Sequence, residues 1–355
     1  MLTKKEKILV LLSMFEVSNK KQETILELME DVSPEKIFEN QKVVELLSNE
    51  EYHKLVGFDE LTLDRCIENM QKSGITILTV LSEDYPKSLV DLPDRPLILY
   101  AKGDLSLLGR KSVAVVGTRS PSNYGKIVTE KFVDKLARAG VVIVSGLCYG
   151  VDAIAHKKTL DVKGKTIAVV GSGFNNIYPS TNTNLANEIA ENGLLLSEYY
   201  PSFVAKRYTF PRRNRIVAGL SDGVLITEAG IKSGTVHTKE FALEYGKDMF
   251  AVPGNIGSEK SELPNYLIKT AQAECVLDGD DILSYYGIDK VAKKQVVALN
   301  FDEKLIVDLL AEGDKNFDDL AEKSKIPVNI LNSCLTTLEI RGLIRKLPAQ
   351  TFALL

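Results

Sequence analysis

The sequence predicts an α/β protein: a doubly wound, mostly parallel sheet, flanked by a small N-terminal helical domain and a C-terminal winged-helix domain. Three observations predict it. Five short apolar runs are rich in β-branched residues: Ser112-Val-Ala-Val-Val-Gly117, Val141-Val-Ile-Val-Ser-Gly146, Thr166-Ile-Ala-Val-Val-Gly171, Gly223-Val-Leu-Ile-Thr227 and Met249-Phe-Ala-Val-Pro253. Strands apolar on both faces belong to a parallel sheet covered by helices. A helical stretch follows each run, and regular β-α alternation gives a doubly wound sheet whose ligands bind beyond the C-terminal strand ends. The last 55 residues show three helical patterns and then a hairpin, the order of a winged helix.

The elements divide the chain into 1–72, 73–288, a linker at 289–300, and 301–355. In the first segment Ile25, Leu26, Leu28 and Met29 recur at helical spacing, Ser33-Pro34 starts a further helix, and Gly57-Phe58-Asp59 breaks two helices apart. Lys4, Lys5 and Lys7 before the apolar run Ile8–Leu12 mimic a signal peptide. The run is short, Glu16 follows it and no A-x-A site appears, so a first helix is the expectation. The winged-helix segment reads as helices at 302–310, 317–323 and 327–340, with a hairpin formed by 342–347 and 351–354. No stretch approaches the roughly 18 apolar residues of a membrane span, so no membrane partner is expected.

The net charge of −4 over 355 residues is an average that conceals its distribution. Residues 1–70 hold 9 Lys/Arg against 15 Asp/Glu, residues 71–300 hold 28 against 24, and residues 301–355 hold 7 against 9. The balances are −6, +4 and −2, so the middle is the basic part. Tyr199–Ser221 contains five cations (Lys206, Arg207, Arg212, Arg213 and Arg215) and no carboxylate.

The strand ends carry the candidate chemistry. Gly117-Thr118-Arg119-Ser120, Ser145-Gly146, Gly171-Ser172-Gly173 and Ser233-Gly234-Thr235 are glycine turns whose backbone N–H groups can approach an anion. Side by side they would form a wide phosphate-binding surface. Arg207-Tyr-Thr-Phe210-Pro-Arg212-Arg213-Asn214-Arg215 adds guanidinium groups for phosphates and aromatic rings for bases, the combination used in single-strand binding. A solvated basic face is the bland alternative, and the missing carboxylates count against it.

Other chemistries find little support. Gly171-x-Gly173 has Asn176 in place of the third glycine of a dinucleotide fingerprint, and no phosphate-loop motif occurs. Cys66, Cys148, Cys275 and Cys334 form no CxxC pair and read as buried reduced thiols of a cytosolic protein. His53, His156 and His237 have no metal-ligand spacing; the last two read as helix packing or surface positions. No cofactor, metal or catalytic residue is expected.

At this point the motifs resemble one family. Val116-Gly-Thr-Arg119-Ser-x-Ser122-x-Tyr124-Gly125, Ser145-Gly-Leu-x-x-Gly150-Val-Asp152-x-x-Ala155-His156, Phe210-Pro-x-Arg-Asn214-Arg-Ile-x-Ala218-Gly219-Leu-Ser221 and Ala251-Val-Pro-Gly254 are similar to those of the DNA-processing protein A family (DprA/Smf). Asp84-Tyr-Pro86 and Pro96-x-x-Leu99-Tyr-x-Lys-Gly103 extend the likeness, which runs from about 75 to 285. The resemblance implies an extended Rossmann-like domain and a cytoplasmic, non-catalytic protein. It implies binding of single-stranded DNA, help in loading RecA recombinase during natural transformation, and a homodimer through the Rossmann-like domain.

By motif, Arg119 should take backbone phosphate and Phe210 should accommodate a base. Arg207 stands where the family usually has lysine. Arg213, Asn214 and Arg215 match a conserved triplet, one member of which could buttress the loop instead. The family's Ser-Gly-Ser-Leu-x-Thr is Ser233-Gly-Thr-Val-His-Thr238 here, and two glycines of a later family motif are absent from Leu263–Gln272. The resemblance also implies a sterile-alpha-motif-like N-terminal domain. In the winged helix, Asn329, Asn332, Ser333, Thr336 and Thr337 provide no cation on the third helix, so protein contact or packing is favoured there over direct DNA binding. A different class, a nucleotide-processing Rossmann enzyme of the lysine-decarboxylase-like type, is echoed at Glu228-Ala-Gly230 without its PGG turn.

Overall fold

The structure, a computed structural model, describes residues 2–28, 34–288, 299–347 and 350–354. Apart from 299 and 300, the expected linker lies outside the described residues. Contacts gather the chain into two compact units, Met1–Lys290 and Val291–Leu355.

The first unit opens with five helices: α1 Lys4–Met14, α2 Asn19–Leu28, α3 Gln41–Leu46, α4 Asn49–Leu55 and α5 Glu60–Lys72. Thr3 with Glu6 and Ser48 with Glu51 form capping boxes that satisfy the first N–H groups of α1 and α4. The helix expected from Pro34 is a six-residue 3-10 helix, Pro34–Glu39. All five residues of the apolar run Ile8–Leu12 have no exposed surface, so the middle of α1 is buried on every side. These helices share one core with the first strands of the sheet. Ile8, Leu12, Leu63 and Ile67 cluster with Ile77, Ile98 and Tyr100. The Ser13 hydroxyl lies 2.5 Å from the Tyr100 hydroxyl, and Thr79 and Ser82 donate to the buried Glu6 carboxylate at 3.0 and 2.8 Å. The acidic head is therefore fixed to the sheet edge.

Nine strands form the sheet: β1 Thr76–Thr79, β2 Ile98–Gly103, β3 Ser112–Val116, β4 Val142–Ser145, β5 Thr166–Val170, β6 Leu194–Ser197, β7 Gly223–Ile226, β8 Asp248–Ala251 and β9 Glu274–Cys275. Their order is β1-β2-β6-β5-β4-β3-β7-β8-β9. β6 to β9 pair in parallel throughout that order, and only β2 runs antiparallel to its neighbours β1 and β6. The helices between strands are α6 Lys87–Val90, α7 Asn123–Arg138, α8 Val151–Asp161, α9 Thr183–Asn192, α10 Thr209–Leu220, α11 Thr235–Glu244 and α12 Glu262–Lys269, and α13 Gly279–Tyr285 follows β9.

The period of two along each strand sorts side chains onto two covered faces. Ala114, Val116, Val144 and Ile226 pack with Ile216 and Val217 of α10 and Ala242 of α11. Val113, Val115, Ile143 and Leu225 pack with Phe132 and Leu136 of α7, Val151 of α8 and Ile282 of α13. The chain builds outward from β3 through β4, β5 and β6, then returns to place β7 on β3's other side. The order thus reverses at β3, where doubly wound sheets open a binding crevice.

The second unit contains α14 Phe301–Ala311, β10 Lys315–Asn316, α15 Phe317–Ser324, α16 Val328–Ile340, β11 Ile344–Leu347 and β12 Thr351–Leu354. β12 pairs antiparallel with β10 and β11. Ile306, Leu320, Leu335, Leu338, Ile344 and Phe352 form its core. Asn329, Asn332, Ser333 and Thr336 are exposed on α16, and Arg341 just after it is tied to Glu303 at 3.1 Å.

Candidate nucleic-acid interface

A cavity of about 320 Å³ opens at the carboxyl ends of β3 and β4, walled by the start of α10 and the turn into α11. Three loops are laced together beneath it. Thr118 N donates to Glu228 O at 2.7 Å, joining the loops after β3 and β7, and Val151 N donates to Thr118 O at 3.2 Å, joining the loop after β4. Gly150 makes this approach possible. Its φ of 77° favours glycine, and a Cβ there would meet Thr118 O at 2.3 Å.

Arg213 braces the floor. It is 2% exposed, and its Nη1 donates to the carbonyls of Gly146 and Val169, while Nη2 lies 3.4 Å from Cys148 Sγ. Burial pushes the nearby Asp152 carboxyl upward and the Arg213 charge opposes that shift; Cys148 N donates to this carboxylate at 3.3 Å. At the mouth, the exposed Arg119 places its guanidinium carbon 5.6 Å from the Phe210 ring centroid, and Tyr178 lies 5.2 Å from the same ring. Arg119, Phe210 and Tyr178 make a tier of cation and aromatic faces beside open glycine backbone. The buried Ser233 hydroxyl lines the cavity just before α11.

The cavity gathers ten of the expected site residues: Gly117, Thr118, Arg119, Gly146, Phe210, Arg213, Asn214, Ser233, Gly234 and Thr235. Ser120 lies just outside, in an adjoining groove. Gly171, Ser172 and Gly173 are buried, so their turn does not open to an anion. Thr209 Oγ1 donates to Gly171 O at 2.7 Å, and a Cβ on Gly173 would meet Tyr200 O at 2.2 Å, so close chain approach explains that glycine. Lys206 and Arg207 are exposed on the approach to α10. Lys206 pairs with Glu16 of the head at 2.5 Å, whereas Arg207 makes no ion pair among the described residues. Arg212 is 3.6 Å from Glu198. Arg215 is 1% exposed, bound to Glu198 and to Asp94 on the side away from the cavity. Cys148, Asp152, Pro211 and Thr238 also line the cavity without having been singled out; Asp152, Pro211 and Thr238 stood inside quoted motifs, whereas Cys148 gave no signal.

Two further expectations change. Of the cysteines only Cys334 is buried; Cys66 and Cys148 are half-buried and Cys275 is exposed on the two-residue edge strand β9. The echo of an enzyme at Glu228 is a structural cap. Glu228 is 2% exposed, and its two oxygens accept from Ser122 N at 2.8 Å and Ser122 Oγ at 2.6 Å at the start of α7. Both of its carboxylate oxygens are thus engaged by Ser122. Among the described residues no cluster could hold a metal ion, and no helix is long and apolar enough to cross a membrane.

His156 is wholly buried beneath the site. Thr166 Oγ1 donates to Ile143 O, so it accepts from His156 Nδ1 at 2.7 Å, which assigns the proton to Nδ1. Burial, then the Arg213 charge, pushes the imidazole from 6.5 down to about 3. The unfolded chain therefore binds a proton that the folded chain refuses between those values, and stability falls as pH drops from 6.5 towards 3. Urea titrations should show a shallower acid limb in His156→Gln than in the parent. An identical acid limb would remove His156 from the acid response.

The sequence profile of DNA recombination-mediator protein A matches residues 76–295, and that of the DprA winged helix domain matches residues 292–350. Protein Smf of Escherichia coli is 37% identical over 315 residues, covering 83% of this chain and 82% of that protein. The DNA processing protein DprA of Bacillus subtilis is 39% identical over 221 residues, 62% of this chain and 74% of its own length. The X-ray structure of DprA from Streptococcus pneumoniae superposes with a TM-score of 0.69 at 33% identity, covering 80% of this chain and 98% of that one. The Helicobacter pylori protein, described for its single-stranded DNA binding mode, superposes with a TM-score of 0.56 at 36% identity over 61% of this chain and 97% of that one. With its Rossmann-like sheet, its winged helix and these matches, the chain belongs to the DprA/Smf family of DNA-processing proteins.

Proposed function

We propose that this chain binds single-stranded DNA without sequence preference and without catalysis, in the cavity at the ends of β3 and β4. The observation that carries the reading is the tier of Arg119, Phe210 and Tyr178 beside the glycine turns. Phosphates are taken by Arg119, by the Thr118 hydroxyl and by the N–H groups of Gly117, Gly234 and Thr235. A base stacks against Phe210, a contact that every base can make because each has a π-face. Lys206, Arg207 and Arg212 extend the positive field along the approach to α10. Arg213 and Arg215 serve from behind, as braces. The H. pylori relative's single-stranded DNA binding supports the reading. In the cell the protein protects incoming DNA and helps load RecA recombinase during natural transformation, as a cytoplasmic homodimer joined through the Rossmann-like domain. The chain divides into 1–72, 73–288, a linker at 289–300 and 301–355, with the winged helix in a protein-contact or packing role.

The test is a salt titration of oligo-dT binding beside duplex of equal length. Single strand should bind more tightly, with log K falling linearly with log salt by about 0.7 for each phosphate engaged. Oligo-dA should follow oligo-dT closely. A preference for duplex, or release of product from AMP, would sink the proposal.

A further inference from the structure

We infer that a strand leaving the cavity continues into a second subsite, a groove where Lys126 and Lys157 take phosphate and Tyr149 stacks a base. This rests on the single-strand reading above and assigns residues that the reading does not include. The groove has a volume of about 590 Å³ and shares Arg119 with the cavity, so one guanidinium stands at the passage between them. Ser120, Lys126, Tyr149, Ile154 and Lys157 form the rest of its working surface, and no carboxylate lines it.

The distinguishing observation is the state of the lysines. α7 and α8 also carry Lys131, Lys135, Arg138 and Lys158, and each of these is ion-paired. Lys131 pairs with Asp278 at 2.9 Å, Lys135 with Asp278 and Asp280, and Arg138 and Lys158 with Asp134 at 2.9 Å each. Lys126 and Lys157, the two that line the groove, make no ion pair among the described residues, and Arg119 makes none either. Three unneutralised cations along one carboxylate-free groove make a track for a polyanion. An ordinary solvated helix face would show the same mixed pairing as the rest of α7 and α8.

The groove also offers a face for a base. Tyr149 is 45% exposed, on the turn that Gly150 presses against Thr118 and Arg119. That turn is thus held by the same contact that builds the cavity. Ile154 and Lys157 are three residues apart on α8 and share a face, so the apolar surface for a base edge lies beside the ammonium for its phosphate. A phosphodiester backbone with unstacked bases fits this alternation of cation and aromatic ring.

The experiment measures binding of labelled oligo-dT in a series of lengths, each across a salt titration, for the parent protein, Lys126→Ala/Lys157→Ala, Tyr149→Ala and Tyr149→Phe. In the parent, affinity should rise with length to a plateau. The double lysine variant should bind the shortest measurable oligonucleotide as the parent does, reach its plateau at a shorter length, and show a salt slope shallower by about 1.4 on long strands, at about 0.7 for each phosphate contact. Tyr149→Ala should weaken long strands about five- to tenfold, and Tyr149→Phe should restore them, because stacking needs the ring and not the hydroxyl. A parent that binds no single strand overturns the single-strand reading itself. A parent that binds, with variants matching it in affinity and slope at every length, overturns only the second subsite. Equal losses on short and long strands would also overturn it, because the lysines would then belong to the first cavity.

Discussion

Arg215→Ala is expected to destabilise the protein by about 3–5 kcal/mol, the usual effect of removing one partner of a buried ion pair. Arg215 is 1% exposed on α10, and its Nη2 donates to Glu198 just beyond β6, with Nε 3.0 Å from Asp94. Glu198, itself 7% exposed, also accepts from Asn19 Nδ2 of α2 at 2.9 Å. One carboxylate therefore joins the head, the sheet and the helix that walls the cavity. Without the guanidinium, Glu198 keeps a charge in a site with little solvent, and the Asn19 bond with the longer, partly exposed Arg212 contact at 3.6 Å offsets only part of it. Replacing both partners, as in Arg215→Met/Glu198→Leu, should recover much of the loss, because two apolar side chains strand no charge. Urea unfolding of the three proteins decides it. An unchanged midpoint in Arg215→Ala would refute the brace. The folded variant should still bind oligo-dT within a fewfold of the parent, since Arg215 faces away from the cavity.

Which arginine does what is the part of the site that sequence does not disclose. Arg212, Arg213 and Arg215 stand within four residues on one helix, and no local pattern distinguishes them. Their fates depend on partners far along the chain: the carbonyls of Gly146 and Val169 for Arg213, and Glu198 and Asp94 for Arg215. Gly173 is a similar case. It looks like a phosphate turn until Tyr200 and Pro201 are seen pressed against it. The sheet was legible for the opposite reason. Val113 and Val115 serve one face and Ala114 and Val116 the other, so a five-residue run announces a strand covered on both sides. That alternation does not give the strand order, and so the crevice at the end of β3 appears only where the order reverses. The fusion of the head to β1 and β2 was not legible, because Ser13 and Tyr100 meet across 87 residues and each side chain is ordinary in its own segment.

Arg119→Ala and Phe210→Ala should each weaken oligo-dT binding by about 1–3 kcal/mol, yet differ in how salt acts on the loss. Arg119 engages phosphate, so its removal should flatten the salt slope by about 0.7, whereas Phe210 offers an uncharged ring and its removal should leave the slope unchanged. The guanidinium lies 5.6 Å from the Phe210 centroid, close enough for each to orient the other. The double variant should therefore lose less than the two single losses added together, with a coupling of about 0.5–2 kcal/mol. Arg119→Lys completes the set. It keeps the charge and should restore the slope, but it lacks the planar fork that grips phosphate and lies over a ring, so it should restore only part of the affinity. Arg119 is exposed, and unfolding midpoints should move little in its variants. Strict additivity of the two losses would separate the cation from the ring and break the tier on which the binding proposal stands. Unchanged affinity in both single variants would remove the cavity from DNA binding altogether.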